Sequence, residues 1–146
     1  MVVTDHLTLD EQLCFQLYAA SRAMTATYRP KLEQLGLTYP QYLVMLALWE
    51  RDGRSVGDLS AALALDSGTL SPLLKRLEAA GLIERRRAAA DERRVDIQLT
   101  EHGRGLRSRA RCIPPEMAEA SGLSDDEFTE LRKALRRLTD SLISHH

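Results

Sequence analysis

The 146-residue sequence predicts a mainly α chain carrying one small β-hairpin. Three observations lead there. Apolar residues recur at helical spacing through most of the chain, and the period shortens to two only between residues 82 and 99. Box-like N-terminal caps punctuate the helical stretches. The length suits a single domain spanning 1–146, and an apolar fraction of 44% excludes a disordered or low-complexity tail.

The first helix is expected over about residues 8–34. Thr8-Leu-Asp-Glu11 reads as a capping box, and Leu9, Leu13, Leu17, Ala20 and Met24 make an apolar stripe. Arg29-Pro30 kinks this helix or shifts its end, and Gly36 breaks it. A second helix starts at the capping box Thr38-Tyr-Pro-Gln41, with Pro40 tolerated in its first turn, and stops near Asp52-Gly53. A third, short helix follows Ser55-Val-Gly-Asp58 and turns Leu59, Ala62 and Leu63 inward. Asp66 caps a fourth, whose Leu70, Leu73, Leu74 and Leu77 share one face while Ser67, Ser71 and Lys75 share another. Pro72 is expected to kink the first turn, and Gly81 ends the helix.

Leu82–Arg86 and Val95–Leu99 then read as strands joined by the polar tip Ala88-Ala-Ala-Asp-Glu92, with Val95, Ile97 and Leu99 inward and Asp96 and Gln98 outward. A fifth helix runs from near Thr100 to Pro114-Pro115. A sixth starts at the box Ser124-Asp-Asp-Glu127, and its Leu131, Leu135, Leu138 and Leu142 form a seam suited to another helix. The terminal helices carry more apolar surface than a small central module covers, so a homodimer is expected.

Net charge is −1, but its distribution is uneven. Seven bases face four acids between Lys75 and Arg94, and six acids with no base lie between Glu116 and Glu130. A local positive surface is what attracts phosphates. Cys14 and Cys112 are too few for a disulfide scaffold, and His6, His102, His145 and His146 show no ligand spacing with them, so neither a metal nor another cofactor is expected. There is no apolar run of membrane-spanning length, and the first residues lack a leader pattern, so the expected location is cytoplasmic.

Helix, short helix, turn, helix and basic hairpin is the order of a winged helix-turn-helix. In such a module the fourth helix offers Ser67, Thr69, Ser71, Lys75 and Arg76 to a major groove, and the hairpin offers Arg86, Arg93 and Arg94 to backbone and minor groove. Taken alone, Arg85-Arg-Arg87 reads more readily as a solvated charged face than as a nucleic-acid contact. The order of elements around it favours double-stranded DNA, bound by the dimer at a pseudo-palindromic operator.

The stretch Asp66-Ser-Gly-Thr-Leu-Ser-Pro-Leu-Leu-Lys-Arg-Leu-Glu78, with Gly81-Leu-Ile, Asp91-Glu-Arg-Arg94 and Leu99-Thr-Glu101, resembles the MarR family of repressors over nearly the whole chain. The resemblance implies dimerisation helices over about 8–34 and 100–146 and a winged helix-turn-helix over about 38–99. It also implies a recognition helix at about 66–79 and a wing at about 83–98, with Arg93 entering the minor groove and Asp91 bracing the wing. Glu11-Gln-Leu-Cys-Phe-Gln-Leu-Tyr-Ala-Ala-Ser-Arg22 and Leu37-Thr-Tyr-Pro-Gln-Tyr-Leu43 resemble the organic hydroperoxide resistance regulator branch of that family. There, the residue matching Cys14 senses peroxide, and residues matching Tyr28 and Tyr39 hydrogen-bond it from the partner subunit.

The residues support that chemistry in their own right. A thiolate can attack a peroxide O–O bond to give a sulfenic acid, tyrosine hydroxyls can donate to the sulfur anion, and Leu13, Phe15, Leu17 and Met45 could form a pocket for alkyl or lipid hydroperoxides. Cys14 is expected in the second turn, where the helix dipole acts weakly. Cys14 and Tyr28 are separated by about 21 Å along one helix, so they meet only across a dimer interface. Two readings stand for Cys112, a resolving thiol or a bystander. Three other functions stay open: a regulator relieved by a small aromatic ligand, a thiol peroxidase, and a purely structural winged module. Ligand relief would survive loss of Cys14, no Cys-x-x-Cys supports the peroxidase, and salt-dependent binding to palindromic DNA would argue against the structural module.

Overall fold

The computed structural model describes residues 6–146, apart from the side chain of Glu92. Met1–Asp5, part of the stretch read as lacking a leader pattern, lie outside the described residues. The chain divides into two compact units, Met1–Arg111 and Cys112–His146.

In the first unit a 3-10 turn, Leu9–Glu11, precedes α1 (Leu13–Glu33) and α2 (Tyr39–Glu50). There follow β1 (Arg54–Ser55), α3 (Val56–Leu63), α4 (Ser67–Ala79), β2 (Ile83–Ala88), β3 (Asp91–Leu99) and α5 (Glu101–Ala110). The first α-helix therefore starts later than the sequence suggests. Thr8 receives no side-chain capping bond. Glu11 instead takes a hydrogen bond from His6 Nδ1 at 2.9 Å, and the Gln12 amide donates to the carbonyls of His6 and Thr8. Pro30 lies inside α1 without ending it.

The capping box at α2 is complete: the Gln41 N–H donates to Thr38 Oγ1 at 3.3 Å and the Thr38 N–H to Gln41 Oε1 at 3.0 Å. Tyr42, Val44, Met45, Ala47 and Leu48 are all buried, which makes α2 apolar around its circumference and puts it at the centre of the unit. Around it lie Leu59 of α3 and Leu70, Leu73, Leu74 and Leu77 of α4, each contributing about 1.5–3 kcal/mol by burial. Ser55 Oγ accepts from the Asp58 N–H at 3.0 Å and caps α3. Ala62, expected inward, is exposed, because in an eight-residue helix the buried stripe reaches only Leu59 and, in part, Leu63. Asp66 Oδ1 accepts from the Thr69 N–H at 2.7 Å. α4 continues through Pro72, which is its sixth residue and so lies beyond the first turn. The carbonyl thereby left without a helical donor is that of Gly68, which is exposed to water.

The hairpin acquires a third strand. The sheet order is β1-β3-β2, all antiparallel, with Arg54 opposite Ile97 and Ser55 opposite Asp96. Ile83 pairs with Leu99 and Arg87 with Val95, and an irregularity between Arg87 and Ala88 shifts the register towards the tip. Ile97 and Leu99 are buried, whereas Asp96, paired with both β1 and β2, and Gln98, paired with β2, are half-buried rather than fully outward.

Where the hairpin meets α5 the packing is tight. Thr100 caps α5, accepting from the Gly103 N–H at 3.0 Å and donating its hydroxyl to the Gly81 carbonyl at 2.6 Å. The Thr100 N–H donates to the Leu82 carbonyl at 3.1 Å. Asp52 Oδ1 receives the N–H groups of Gly53 and Leu99, each at 2.8 Å, and so ties the end of β3 to the turn after α2.

The second unit holds α6 (Ile113–Ala120) and α7 (Asp125–His145). Pro114 and Pro115, expected to end the fifth helix, sit in the first turn of α6, where proline's missing N–H would be unpaired anyway. The box at Ser124 and Glu127 is complete. No residue of α7 is buried, and Leu131 and Leu142 of the expected seam are 49% and 54% exposed. Among the described residues no helix is long and apolar enough to cross a membrane.

Candidate DNA-binding face and thiol site

The Asp66 cap starts α4 so that Ser67, Thr69, Lys75 and Arg76 are exposed, opposite the buried leucines. The Thr69 N–H bond holds the Asp66 carboxyl below the usual carboxylate range, keeping the cap ionised. Ser71 is half-buried, and its carbonyl accepts from Arg85 Nη2 at 3.5 Å. The exposed face of α4 is therefore short-chained, polar and cationic.

The wing arginines have different occupations. Arg86 pairs with Glu84 at 3.1 Å, Arg85 lies 3.7 Å from Glu78, and Arg94 donates to Asp96 at 2.8 Å. The Asp96 bond, then the carboxylates of Asp96, Asp58 and Asp91, hold the Arg94 proton above even the usual guanidinium range. Arg93 is exposed, and its guanidinium has no ion pair among the described residues. Its backbone N–H donates to Asp91 Oδ1 at 3.0 Å, which fixes the backbone from which the side chain projects.

Cys14 and Cys112 are not disulfide-bonded, and both are exposed. Because α1 begins at Leu13, Cys14 stands in its first turn, not its second. Cys112 opens the second unit as the residue before α6. The expected apolar pocket does not close over the thiol within one chain. Leu13 beside it is 61% exposed, and Met45 is fully buried in the core instead.

Tyr28 and Tyr39 do come together. Their ring centroids are 4.9 Å apart, and a third ring, Tyr42, lies 5.8 Å from Tyr28 and 6.4 Å from Tyr39. Sequence reasoning did not place Tyr42 or Trp49 in this cluster. The spacing of three and seven residues along α2 was the available signal, since it sets Tyr39, Tyr42 and Trp49 along one flank of the helix. Burial, followed by the neighbouring phenols Tyr39 and Tyr42, pushes Tyr28 up to about 12, and burial also raises Tyr39. Both hydroxyls thus keep their protons at neutral pH and can donate. A proton held more tightly in the folded chain gives a stability contribution that is complete below the ordinary phenol value. It should be lost as pH rises from about 10 through about 12. Absorbance titration of the phenolates should show a late step near pH 12 that disappears in Tyr28→Phe. A profile unchanged by that substitution would contradict the assignment.

A cavity of about 540 Å³ opens beside Tyr39, lined by Thr25, Arg29, Leu32, Leu37, Thr38 and Pro40 among others. Cys14 and Tyr28 occupy the same helix, about 21 Å apart along its axis, so one chain does not bring them into contact.

An exposed polar helix beside an arginine-bearing wing, on this order of elements, is the arrangement of a winged-helix transcription regulator. Comparison with known proteins agrees. The family described as transcriptional regulator SarA/Rot matches residues 26–109. The organic hydroperoxide resistance transcriptional regulator of Bacillus subtilis is 48% identical over 138 residues, with 94% of each chain covered. The HTH-type transcriptional regulator TtmR of Methylorubrum extorquens is 49% identical over 138 residues, covering 94% of this chain and 71% of that one. Among solved structures, reduced AbfR bound to DNA superposes with a TM-score of 0.76 at 38% identity, covering 92% of this chain and 94% of that one. Disulfide-formed AbfR superposes with a TM-score of 0.65 at 38% identity, covering 90% and 92%, and AbfR is a protein of Staphylococcus epidermidis. The chain belongs to the SarA/MarR-type winged-helix family and is a DNA-binding transcription regulator.

Proposed function

We propose that the chain works as a homodimeric repressor that leaves its operator when Cys14 is oxidised by an organic hydroperoxide. The observation that carries this reading is the separation of parts. An exposed thiol sits at one end of α1, and its candidate donors cluster near the other, where only a second copy's thiol can reach them. The exposed leucines of α7 are surface such a copy would cover. The kinship with a hydroperoxide resistance regulator, and with a protein seen both reduced on DNA and disulfide-formed, supports it.

In the proposed step the Cys14 thiolate attacks the terminal peroxide oxygen. The S–O bond forms, the O–O bond breaks, sulfur loses two electrons, and the alkoxide takes a proton and leaves as alcohol. A second thiol then displaces water from the sulfenic acid to close a disulfide, and Cys112 is the proposed source of that thiol. On DNA, α4 lies in the major groove, and Arg93, braced by Asp91, enters the minor groove. The remaining contacts come from Ser67, Thr69, Ser71, Lys75, Arg76, Arg86 and Arg94.

The test pairs mobility shift with intact-mass measurement, with and without cumene hydroperoxide, for the unaltered chain, Cys14→Ser and Cys112→Ser. Peroxide release that persists in Cys14→Ser would reject the reading. The DNA assignment has its own test. Arg93→Ala should weaken operator binding roughly ten-fold and lower the slope of log affinity against log salt by about one, the signature of a lost phosphate-region contact. An unchanged slope and affinity would place Arg93 off the DNA.

The cavity beside Tyr39 favours one second reading, relief by a small aromatic ligand seated there. That relief would be untouched by Cys14→Ser, which separates the two.

A further inference from the structure

The tyrosine cluster does not end at Tyr42. That ring is 2% exposed, and its edge meets Trp49 at a centroid distance of 6.5 Å with the planes 69° apart. Trp49 lies two helical turns further along α2, so both rings sit on the same flank of one rigid element. The indole Nε1–H donates to the Gly103 carbonyl at 2.9 Å, a bond spanning 54 residues of sequence.

What lies beyond Gly103 makes that bond informative. A Cβ at Gly103 would stand 2.1 Å from the Leu82 carbonyl oxygen and 3.3 Å from Leu99 Cδ2. The first turn of α5 is therefore pressed against both roots of the wing, the residue before β2 and the last residue of β3. The Thr100 N–H bond to the Leu82 carbonyl joins the same two roots, and the Asp52 carboxylate holds Leu99 from the α2 side. With no slack at Gly103, a displacement of Trp49 is passed to the two strand ends together.

We propose that Trp49 is the positioning residue through which the tyrosine cluster sets the wing: its ring takes the position of Tyr42, and its N–H holds the base of the wing at Gly103. This deepens the reading above, and rests on it only in taking the cluster as the place where thiol chemistry is felt. The contact path belongs to a single chain. A physical coupling of this kind is established by non-additivity between its two ends, not by adjacency.

The test uses reduced, full-length protein and no peroxide, so its outcome is separate from that of Cys14→Ser. Tyr28→Ala perturbs the cluster, and Trp49→Phe keeps an aromatic ring while removing the N–H donor. Amide exchange at Ile83, Leu99 and Gly103 is measured for each variant and for the pair. Affinity is measured in parallel for a duplex selected by the protein from a random-sequence pool. Tyr28→Ala should change exchange at the wing base by about five-fold when Trp49 is present and by less than about two-fold in W49F. A purely structural role for Trp49 would lower melting temperature but leave the two Tyr28→Ala effects equal, and equal effects overturn the proposal.

Should W49F fail to fold, the unsubstituted chain still decides the matter, because it contains a single tryptophan. Labelled with 5-fluorotryptophan, it gives one fluorine resonance. That resonance should move both on Tyr28→Ala and on adding the selected duplex, since coupling between two sites is reciprocal. A resonance that ignores either perturbation overturns the proposal.

Discussion

Gly103→Ala is expected to lower the stability of the chain by roughly 3 kcal/mol, dropping the melting temperature by about 10 °C. The added Cβ would stand 2.1 Å from the Leu82 carbonyl oxygen and 3.1 Å from its carbon. These atoms are backbone, so no rotamer change relieves the overlap. Moving them strains the Thr100 N–H bond to that carbonyl and the pairing of Ile83 with Leu99 that follows. Gly105→Ala is the matched control. It lies two residues later in α5 with nothing within 4 Å of the new methyl, and should be neutral or stabilising by about 0.5–1 kcal/mol. Thermal unfolding followed by circular dichroism separates the two. Equal melting temperatures would show that α5 does not press on the wing root.

Cys14→Ser should leave DNA binding by reduced protein within about two-fold and abolish release by cumene hydroperoxide, a change of more than about a hundred-fold in the peroxide-to-control affinity ratio. The side chain is exposed, so replacing sulfur by oxygen disturbs no packing within the chain. The chemistry is what changes, since an alcohol does not attack an O–O bond at neutral pH. Cys112→Ser reports a different step. If Cys112 closes the disulfide, its loss leaves Cys14 as a sulfenic acid or on the path to higher oxides, visible as added oxygen masses in place of a loss of two hydrogens. If release and mass are the same as in the unaltered chain, Cys112 takes no part.

The elements with strong local signals were legible. Thr38 with Gln41, Ser124 with Glu127, and Asp66 with Thr69 cap where their residue types and spacing require. Thr8 with Glu11 has the same pattern and fails, because Glu11 finds His6 and the chain first makes a 3-10 turn. β1 was not legible, since two residues carry no period and their pairing with Asp96 and Ile97 is a tertiary fact. The turn from α3 into α4 was equally silent. Ala64 holds the left-handed conformation, φ 53°, that glycine usually marks. At the thiol site, Cys14, Tyr28 and Tyr39 came from a pattern match. The links to Tyr42, Trp49 and Gly103 depend on packing between α2 and α5, which no local motif announces.

The sheet order carries one last consequence, for how crowded copies of the chain behave. β1 covers the outer edge of β3 only at its base, and β2 is an edge strand along its length among the described residues. An unpaired edge is a template for strand addition from a neighbouring molecule, and its commonest safeguard is positive charge. Arg85, Arg86 and Arg87 fall in the middle of β2, and the register becomes irregular between Arg87 and Ala88. Positive charge along this edge should therefore keep wings from zipping to one another, and replacing Arg86 and Arg87 should cost colloidal solubility.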